Sequence, residues 1–520
     1  MVELTLPPAM IETVTAVADW VVVLPPILCL MGAAAALMLR RSGALTFIFS
    51  VLILVGVIAC EVTLLLRIIE SGPLAMTMGK WLPPFGISFA ADIFGAGFAL
   101  TAAVVTLVVL VYAQGERGAD DERDGFHSMV LLLLAGVTGS FLTGDLFNLY
   151  VWFEVMLIAS FGLIVLGGSP VQLDGAVKYG FLNFLATSFF LLALGLLYGL
   201  LGTLNMADIL QVAPAANKAA VAGVAALLLL AFGMKAAAFP VNAWLPAAYH
   251  TPPAVISALF AGLLTKVGAY ALLRALVVLL PASRDLLEPV LVAITLATLL
   301  VAPLGAIAET NLRRAIGFLV IGGIGSILAG IAIPSVAGVS GAGLYMFHAI
   351  LTMTALYLVA GLIERHTGQT DSRRMGGLFA ASAPVSILFF ALVLATAGVP
   401  PFLGFWPKLL LMQAGLGEAG WSGGLITVAL VLNAVLTLIA GSRLWAHIFW
   451  RSPPEGGVAV STPSRQGHWF RFGATGMLVA LVVAAGLWPN GLFEALRLAA
   501  PDLLDPARYV AAIGLAGGAP

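Results

Sequence analysis

The sequence predicts an all-α polytopic membrane protein of about fourteen transmembrane helices, with two inverted repeats that each contain a broken helix. Three observations carry this reading. Hydrophobic residues make up 61% of the 520-residue chain and charged residues only 9%, against about 25% charged in a soluble protein. Apolar runs recur at the length of a membrane span, roughly 20 residues. Two of these runs, "GMKAAAFPVNAWLPAAYHTPPAV" and "TAGVPPFLGFWPKLLLM", are broken by proline or glycine beside a lysine. An interior proline costs a helix about 3 kcal/mol, and paired interrupted helices in two halves point to a midplane ion site.

The runs fall at 18–39, 43–67, 84–113, 127–144, 146–167, 176–201, 221–247, 254–280, 289–308, 314–333, 338–363, 378–413, 424–449 and 474–493. They divide the chain into N-terminal spans 1–3 (1–126), a first repeat of spans 4–8 (127–281), a second of spans 9–13 (282–452), and a loop, last span and tail (453–520). Basic residues favour the cytoplasmic side. Alternate loops hold Arg40 and Arg41; Arg117 and Arg123; Arg313 and Arg314; Arg365, Arg373 and Arg374; and Arg451, Arg465 and Arg471, whereas the other set holds little beyond Lys80, Lys218 and Arg284. The rich set is therefore cytoplasmic and both termini face outward, which requires an even number of spans. The N-terminus "MVELTLPPAM" lacks the basic region of a cleavable signal. The runs "GERGADDERD" and "SPPEGG" read as solvated loops, and the "GGIGSILAG" glycines as helix-packing positions.

Composition also excludes function classes. A net charge of -1 gives no attraction for nucleic acid, and there is no dinucleotide fingerprint, P-loop or HExxH motif. Cys29 and Cys60 lie in apolar runs without metal-site spacing. No cofactor is expected, so any chemistry falls to the few charges inside the membrane.

Those charges are Glu154, in "DLFNLYVWFEVMLIASFGLIVLGG"; Lys235, in the first broken run; Lys266, in "VISALFAGLLTKVGAYALL"; and Lys408, in the second broken run. His348 lies in "GLYMFHAILTMTALYLVAG". Intramembrane charges are costly and mark proton relays, ion paths or structural pairs. The functional reading is a relay in which Glu154 and Lys235 hold each other charged when paired. A proton then passes to Lys266 and, through His348, to Lys408. Histidine suits such a step because its unperturbed pKa is about 6.5, and coupled groups titrate as a network. Three further residues are weighed against plainer roles. Lys178 opens the sixth span and can equally snorkel to the interface. Asp145 stands where a helix cap belongs, in "TGD". His250, in "YHTPPA", is a candidate for proton uptake in a proline-rich loop.

The stretches "GDLFNLYVWFEVMLIASFGLIVLGG", "GMKAAAFPVNAWLPAAYHTPPAVISALFAGLLTKVGAYALLR" and "AGVPPFLGFWPKLLL" resemble the proton-translocating antiporter-like subunits shared by respiratory complex I, membrane-bound hydrogenases and Mrp-type cation/proton antiporters. The resemblance covers roughly residues 85–450 and is strongest from Glu154 to Arg274. The "FEVMLIASFGLIVLGG" run and the lysine at Lys408 are most similar to the D-type subunits of the Mrp-type Na+/H+ antiporters. It implies fourteen spans and places the family's functional glutamate, three lysines and histidine on Glu154, Lys235, Lys266, Lys408 and His348. It also implies partners, namely A-, B-, C-, E-, F- and G-type subunits, with H+ and Na+ or K+ as the transported ions and a bacterial inner membrane as the location. Two departures thin the centre of the relay. Many relatives carry a lysine five residues after the histidine, where this chain has Met353, and a Ser-Gln pair where it has Gly322–Gly323; water filling the gap, or a different route, would answer this. Two alternatives stay open at this level. One is the homologous subunit of a redox-driven pump, with its redox centres in partners. The other is a membrane scaffold whose charges are structural pairs.

Overall fold

The computed structural model describes residues 16–116, 125–452 and 467–514 of the chain. The runs "GERGADDERD" and "SPPEGG" lie almost wholly outside the described residues. The principal helices, in order, are α1 (Leu24–Leu39), α2 (Gly43–Ser71), α3 (Ile93–Glu116), α4 (Phe126–Leu142), α5 (Leu146–Val165), α6 (Pro170–Leu201), α7 (Lys218–Ala236) and α8 (Trp244–Tyr249). They continue as α9 (Ala254–Leu279), α10 (Pro281–Ala308), α11 (Leu312–Ala332), α12 (Val336–Thr367), α13 (Ala383–Ala397), α14 (Phe405–Gly417), α15 (Trp421–Trp450), α16 (His468–Leu487), α17 (Asn490–Leu504) and α18 (Ala507–Ala512). Eleven described helices are long and apolar enough to cross a membrane. The expected count of fourteen exceeds this by three because α1, α4 and α13 are apolar but only 15 to 17 residues long.

Helix starts follow capping chemistry. Asp145, Asn217, Asn311 and Ser335 each accept a hydrogen bond from a first-turn amide of α5, α7, α11 and α12. Ser169 and Gln172 close a capping box on α6, with Pro170 at its first position. Within the bundle α9, α11 and α12 are almost wholly enclosed by protein, whereas α2 and α6 turn most of their apolar surface outward. The "GGIGSILAG" glycines serve packing as expected: a Cβ on Gly325 would lie 2.9 Å from the Leu299 amide of α10.

Two segments differ from the sequence reading. The third span starts at Ile93, not near residue 84, because Pro83, Pro84 and Gly86 interrupt helix formation. The residues before it form a hairpin of β1 (Leu74–Thr77) and β2 (Ser88–Ala91), with Leu74 opposite Ala91. The last span ends at Leu487, ahead of Pro489. The tail then folds back as α17, which buries Leu496, Ala499, Ala500 and Leu503.

The two expected breaks are present and close in the same way. At the end of α7, the Ala238 amide donates to the Gly233 carbonyl (2.9 Å) and the Ala237 amide to that of Met234 (3.1 Å). At the end of α13, Val399 donates to Leu394 (3.0 Å) and Gly398 to Ala395 (3.2 Å). Both are Schellman closures, which need a left-handed residue at the turn. Gly398 (φ 85°) supplies it in the second break, and Ala237 (φ 60°) in the first. A side chain in that conformation costs roughly 1–2 kcal/mol. Ala237→Gly is therefore expected to hold or raise the thermal midpoint of the detergent-solubilised protein. Gly398→Ala is expected to lower stability by about 1–2 kcal/mol, since its new Cβ would also stand 2.7 Å from Lys408 Cδ.

Candidate functional site: a chain of enclosed lysines

Each break presents the carboxyl end of a half-helix, where unpaired carbonyls concentrate partial negative charge. An ammonium lies at both. Lys235 is in the last turn of α7. Lys408, in the first turn of α14, reaches back across the second break and donates to the carbonyls of Thr396 (3.2 Å) and Ala397 (2.9 Å) at the end of α13. Gly398 leaves the room that the Lys408 stem needs. A polar head in a lipid-spanning segment is thus housed by protein, which the bilayer demands of any irregular backbone at that depth.

The residues expected to act together fall into two groups. Lys235, Lys266, His348 and Lys408 are 4%, 1%, 0% and 3% exposed. Lys235 Nζ donates to Thr187 Oγ1 of α6 (3.3 Å) and lies 4.9 Å from the centre of the Phe153 ring. The expected contact ion pair with Glu154 is not formed: Glu154 is half-buried on α5 and acts on Lys235 through space only. The helix places Phe153 rather than Glu154 under the ammonium. Lys266 follows a wide π-helical turn, Phe260–Leu264, and donates to the Ala261 carbonyl. Gly268, half a turn on, brings α9 against the first break: a Cβ there would lie 2.9 Å from the Ala236 amide. His348, on α12, is near enough to feel the charge of both Lys408 and Lys266. Its Nδ1 is 3.1 Å from Thr352 Oγ1, and its buried Nε2 has no partner among the described residues. A Cβ on Gly404 would lie 3.0 Å from His348 Cε1, so the ring abuts the second break.

The remaining candidates stand apart. Lys178 is exposed and pairs with Asp174 one turn earlier (2.6 Å). Asp145 caps α5 through the Asn148 amide (2.8 Å). Its carboxyl is pushed up to about 6, chiefly by burial. His250 sits in the loop after α8, with Nδ1 2.9 Å from the Pro246 carbonyl. Burial holds its imidazole below the usual range; Arg314 and Arg313 add to this, and the Pro246 carbonyl and Glu309 oppose it. That loop is fastened by Arg313, which bonds the Pro252 carbonyl and pairs with Glu364 of α12 (2.9 Å).

Sequence reasoning passed over several groups. Around the departures at Gly322–Gly323, the absent side chains leave room for two polar neighbours. A Cβ on Gly322 would lie 3.2 Å from Asn433 Nδ2 of α15, and one on Gly323 would lie 3.0 Å from the Tyr345 ring. Asn433 donates to the Leu299 carbonyl (2.8 Å). These substitutes come from other spans, so only the fold reveals them. Asp92, at the start of α3, pairs with Arg274 of α9 while accepting from the Gly95 amide (2.8 Å). Arg274 also donates to the Tyr270 hydroxyl (2.9 Å) and lies over Tyr509 of α18. Asp92 falls inside the expected third span and Arg274 inside the eighth, but their pairing shows only in the fold. Glu61, by contrast, lies in an unbroken apolar run, and the burial rule that finds Glu154 would also find it.

Thr187→Val removes the hydrogen-bond partner of Lys235 and is expected to cost about 1–3 kcal/mol. Asp92→Asn strands Arg274 and is expected to cost about 3–5 kcal/mol. Thermal unfolding in detergent, followed by tryptophan fluorescence, checks both, and the larger drop belongs to Asp92→Asn.

Residues 143–437 match the family described as "NADH:quinone oxidoreductase/Mrp antiporter, TM". The chain is 33% identical over 493 residues to the D-type subunit of the Na(+)/H(+) antiporter of Bacillus subtilis (strain 168), covering 95% of this chain and 99% of that protein. Among solved structures it is similar to a chain of the Mrp complex from Dietzia sp. DQ12-45-1b, with a TM-score of 0.88, 28% identity and coverage of 96% of this chain and 100% of that one. A chain of respiratory complex I from Thermus thermophilus, at 22% identity and a TM-score of 0.78 over 96% of this chain and all of its own, shares the fold. With its end-to-end match to a D-type relative and its lysine-bearing breaks, the chain belongs to the NADH:quinone oxidoreductase/Mrp antiporter transmembrane family, as a D-type subunit.

Proposed function

We propose that the chain is the proton-translocating subunit of a multisubunit cation/proton antiporter that exchanges H+ for Na+ or K+. The supporting observation is the set of enclosed ammonium groups at Lys235, Lys266 and Lys408, whose hydrogen bonds go to neutral oxygens rather than to carboxylates. An ammonium has three N–H donors, and no contact carboxylate locks its proton in place. Protons move from the Glu154–Lys235 end to Lys266, then by His348 to Lys408. His348 has the chemistry of a two-sided carrier, with one ring nitrogen on a hydroxyl and the other unengaged. Tyr345 and Asn433 supply polar surface where relatives use a Ser-Gln pair. In this reading the cation passes at an interface with another subunit; among the described residues no three His, Cys, Asp or Glu side chains come together to hold a metal ion.

In this reading spans 4–8 and 9–13 form the inverted repeats and the three short apolar helices complete fourteen spans. Both termini face outward from a bacterial inner membrane, and A-, B-, C-, E-, F- and G-type subunits complete the assembly. The chain is a transporter subunit rather than an enzyme.

The test is antiport in everted vesicles from an antiporter-deficient strain expressing the whole operon, read as recovery of a pH-sensitive dye on adding NaCl or KCl. Glu154→Ala and Lys235→Ala should each reduce the initial rate by roughly 10²-fold or more, the contribution of a positioned proton-transfer group, with assembly unchanged on native gels. Full activity in both would end the relay reading; loss of assembly in both would make the charges structural. Single cysteines placed in the Arg365–Arg374 loop and near Trp488 should react with a membrane-impermeant maleimide from opposite sides, the latter in intact cells.

A further inference from the structure

Among the described residues, Glu61 of α2 is a carboxyl at membrane depth that the lysine chain does not use. Its side chain is wholly shielded from solvent. Oε1 lies 3.5 Å from Thr138 Oγ1 of α4, the outer limit of a hydrogen bond, and Oε2 is buried with no partner among the described residues. The titratable groups that feel its charge are Cys29 of α1 and Cys60 beside it on α2. α3 and α4, packed on the same face, contribute no charged group that acts on it. Other acids in or at the ends of the spans are treated differently: the buried Asp92 is given Arg274, and the half-buried Glu364 is given Arg313.

An ionised carboxylate without a partner is among the costliest groups to bury. Among the described residues no cation pairs with Glu61 or acts on its charge, and with the side chain fully enclosed a neighbouring protein seated against α2 would meet the outer face of the helix, not this carboxyl. The neutral acid escapes that cost, and its O–H can use the Thr138 hydroxyl. A bound Na+ would need several oxygens at once, and one hydroxyl is in reach. The position is also close to the functional region. Consecutive residues of α4 face two ways: Thr138 toward Glu61, and Gly139 toward Trp152, whose ring fills the space a Cβ would take. Trp152 stands two residues before Glu154, so a single helix separates Glu61 from the helix that carries Glu154.

We propose that Glu61 is a proton-binding site in the N-terminal bundle, distinct from the lysine chain, that takes up and releases a proton during turnover. The proposal does not require the lysine relay, because Glu61 shares no hydrogen bond with its members.

Infrared difference spectroscopy of the complete complex in lipid, wild type minus Glu61→Gln, tests it. The expected result is a C=O stretching band of a buried protonated carboxyl at neutral pH that is absent from the variant. The band fades reversibly as the pH is made alkaline and is indifferent to Na+ at fixed pH. Assembly of the variant should match wild type on native gels, and its antiport rate should fall roughly tenfold, below the usual contribution of a proton-transfer group. If Glu61→Gln does not assemble, Glu61→Asp keeps the acid and should shift the band. Absence of any Glu61-dependent band overturns the proposal. So does a band that Na+ abolishes at constant pH, which would make this a cation site. An unchanged antiport rate in Glu61→Gln at every pH would reduce Glu61 to a packing group.

Discussion

Inside a bilayer the peptide group has no water to fall back on, and much of this molecule follows from that constraint. A helix that stops at membrane depth leaves carbonyls exposed at its end. Here two helices stop there, and both are finished by the same pair of backbone bonds. At the second break the remaining carbonyls are taken by Lys408; at the first, Met234 also receives the Trp244 indole (3.1 Å). At the second break, the open helix end and the lysine are therefore two halves of one solution. The open end makes a site for a cation, and the cation makes the open end tolerable. Prolines in these segments mark where the ladder is surrendered.

The enclosed charges sort by what answers them. Where a carboxylate answers, the pair ties one helix to another: Asp92–Arg274 joins α3 to α9, far apart in sequence, and Arg313–Glu364 joins the consecutive α11 and α12. Where a carbonyl or hydroxyl answers, as at the three lysines, the head is oriented but not neutralised. Buried ion pairs are held by partners that are each costly to strand, which suits fastening. Neutral acceptors leave the proton as the movable part, which suits transfer. The same bundle uses both arrangements within a few helical turns: Lys266, Tyr270 and Arg274 follow one another at intervals of four on α9.

Much of this is legible in the sequence because lipid imposes a coarse code. Most span positions follow from apolar length, and Lys235, Lys266, His348 and Lys408 read as enclosed because a charge in such a run has nowhere else to go. The misreadings have physical causes. The sequence suggests a contact pair of Glu154 and Lys235, but a linear pattern cannot show that Phe153 occupies the facing position. β2 merges into the expected third span because Ser88–Ala91 runs without a charge into the apolar start of α3, while β1 falls between the expected spans. Asn433 and Tyr345, which stand beside Gly322 and Gly323, come from other helices, and one sequence carries no signal of that proximity. Lys178 meets Asp174 one turn earlier on an exposed face, and Asp145 bonds the Asn148 amide as the position in "TGD" suggests.

Tyr509 gives the last described helix, α18, an unexpected place in the packing of α9. It lies against Arg274, which is itself paired with Asp92, so one end of α9 is assembled from three helices far apart in sequence, α3, α9 and α18. Helices made earlier in synthesis can pack before those made later. Arg274 can therefore meet Asp92, under the Tyr270 ring of its own helix, before α18 exists, and Tyr509 then closes the second side of the guanidinium. Removing everything after Leu487 would keep Lys235, Lys266 and Lys408 in place in the sequence and still open that end of α9 on the Tyr509 side.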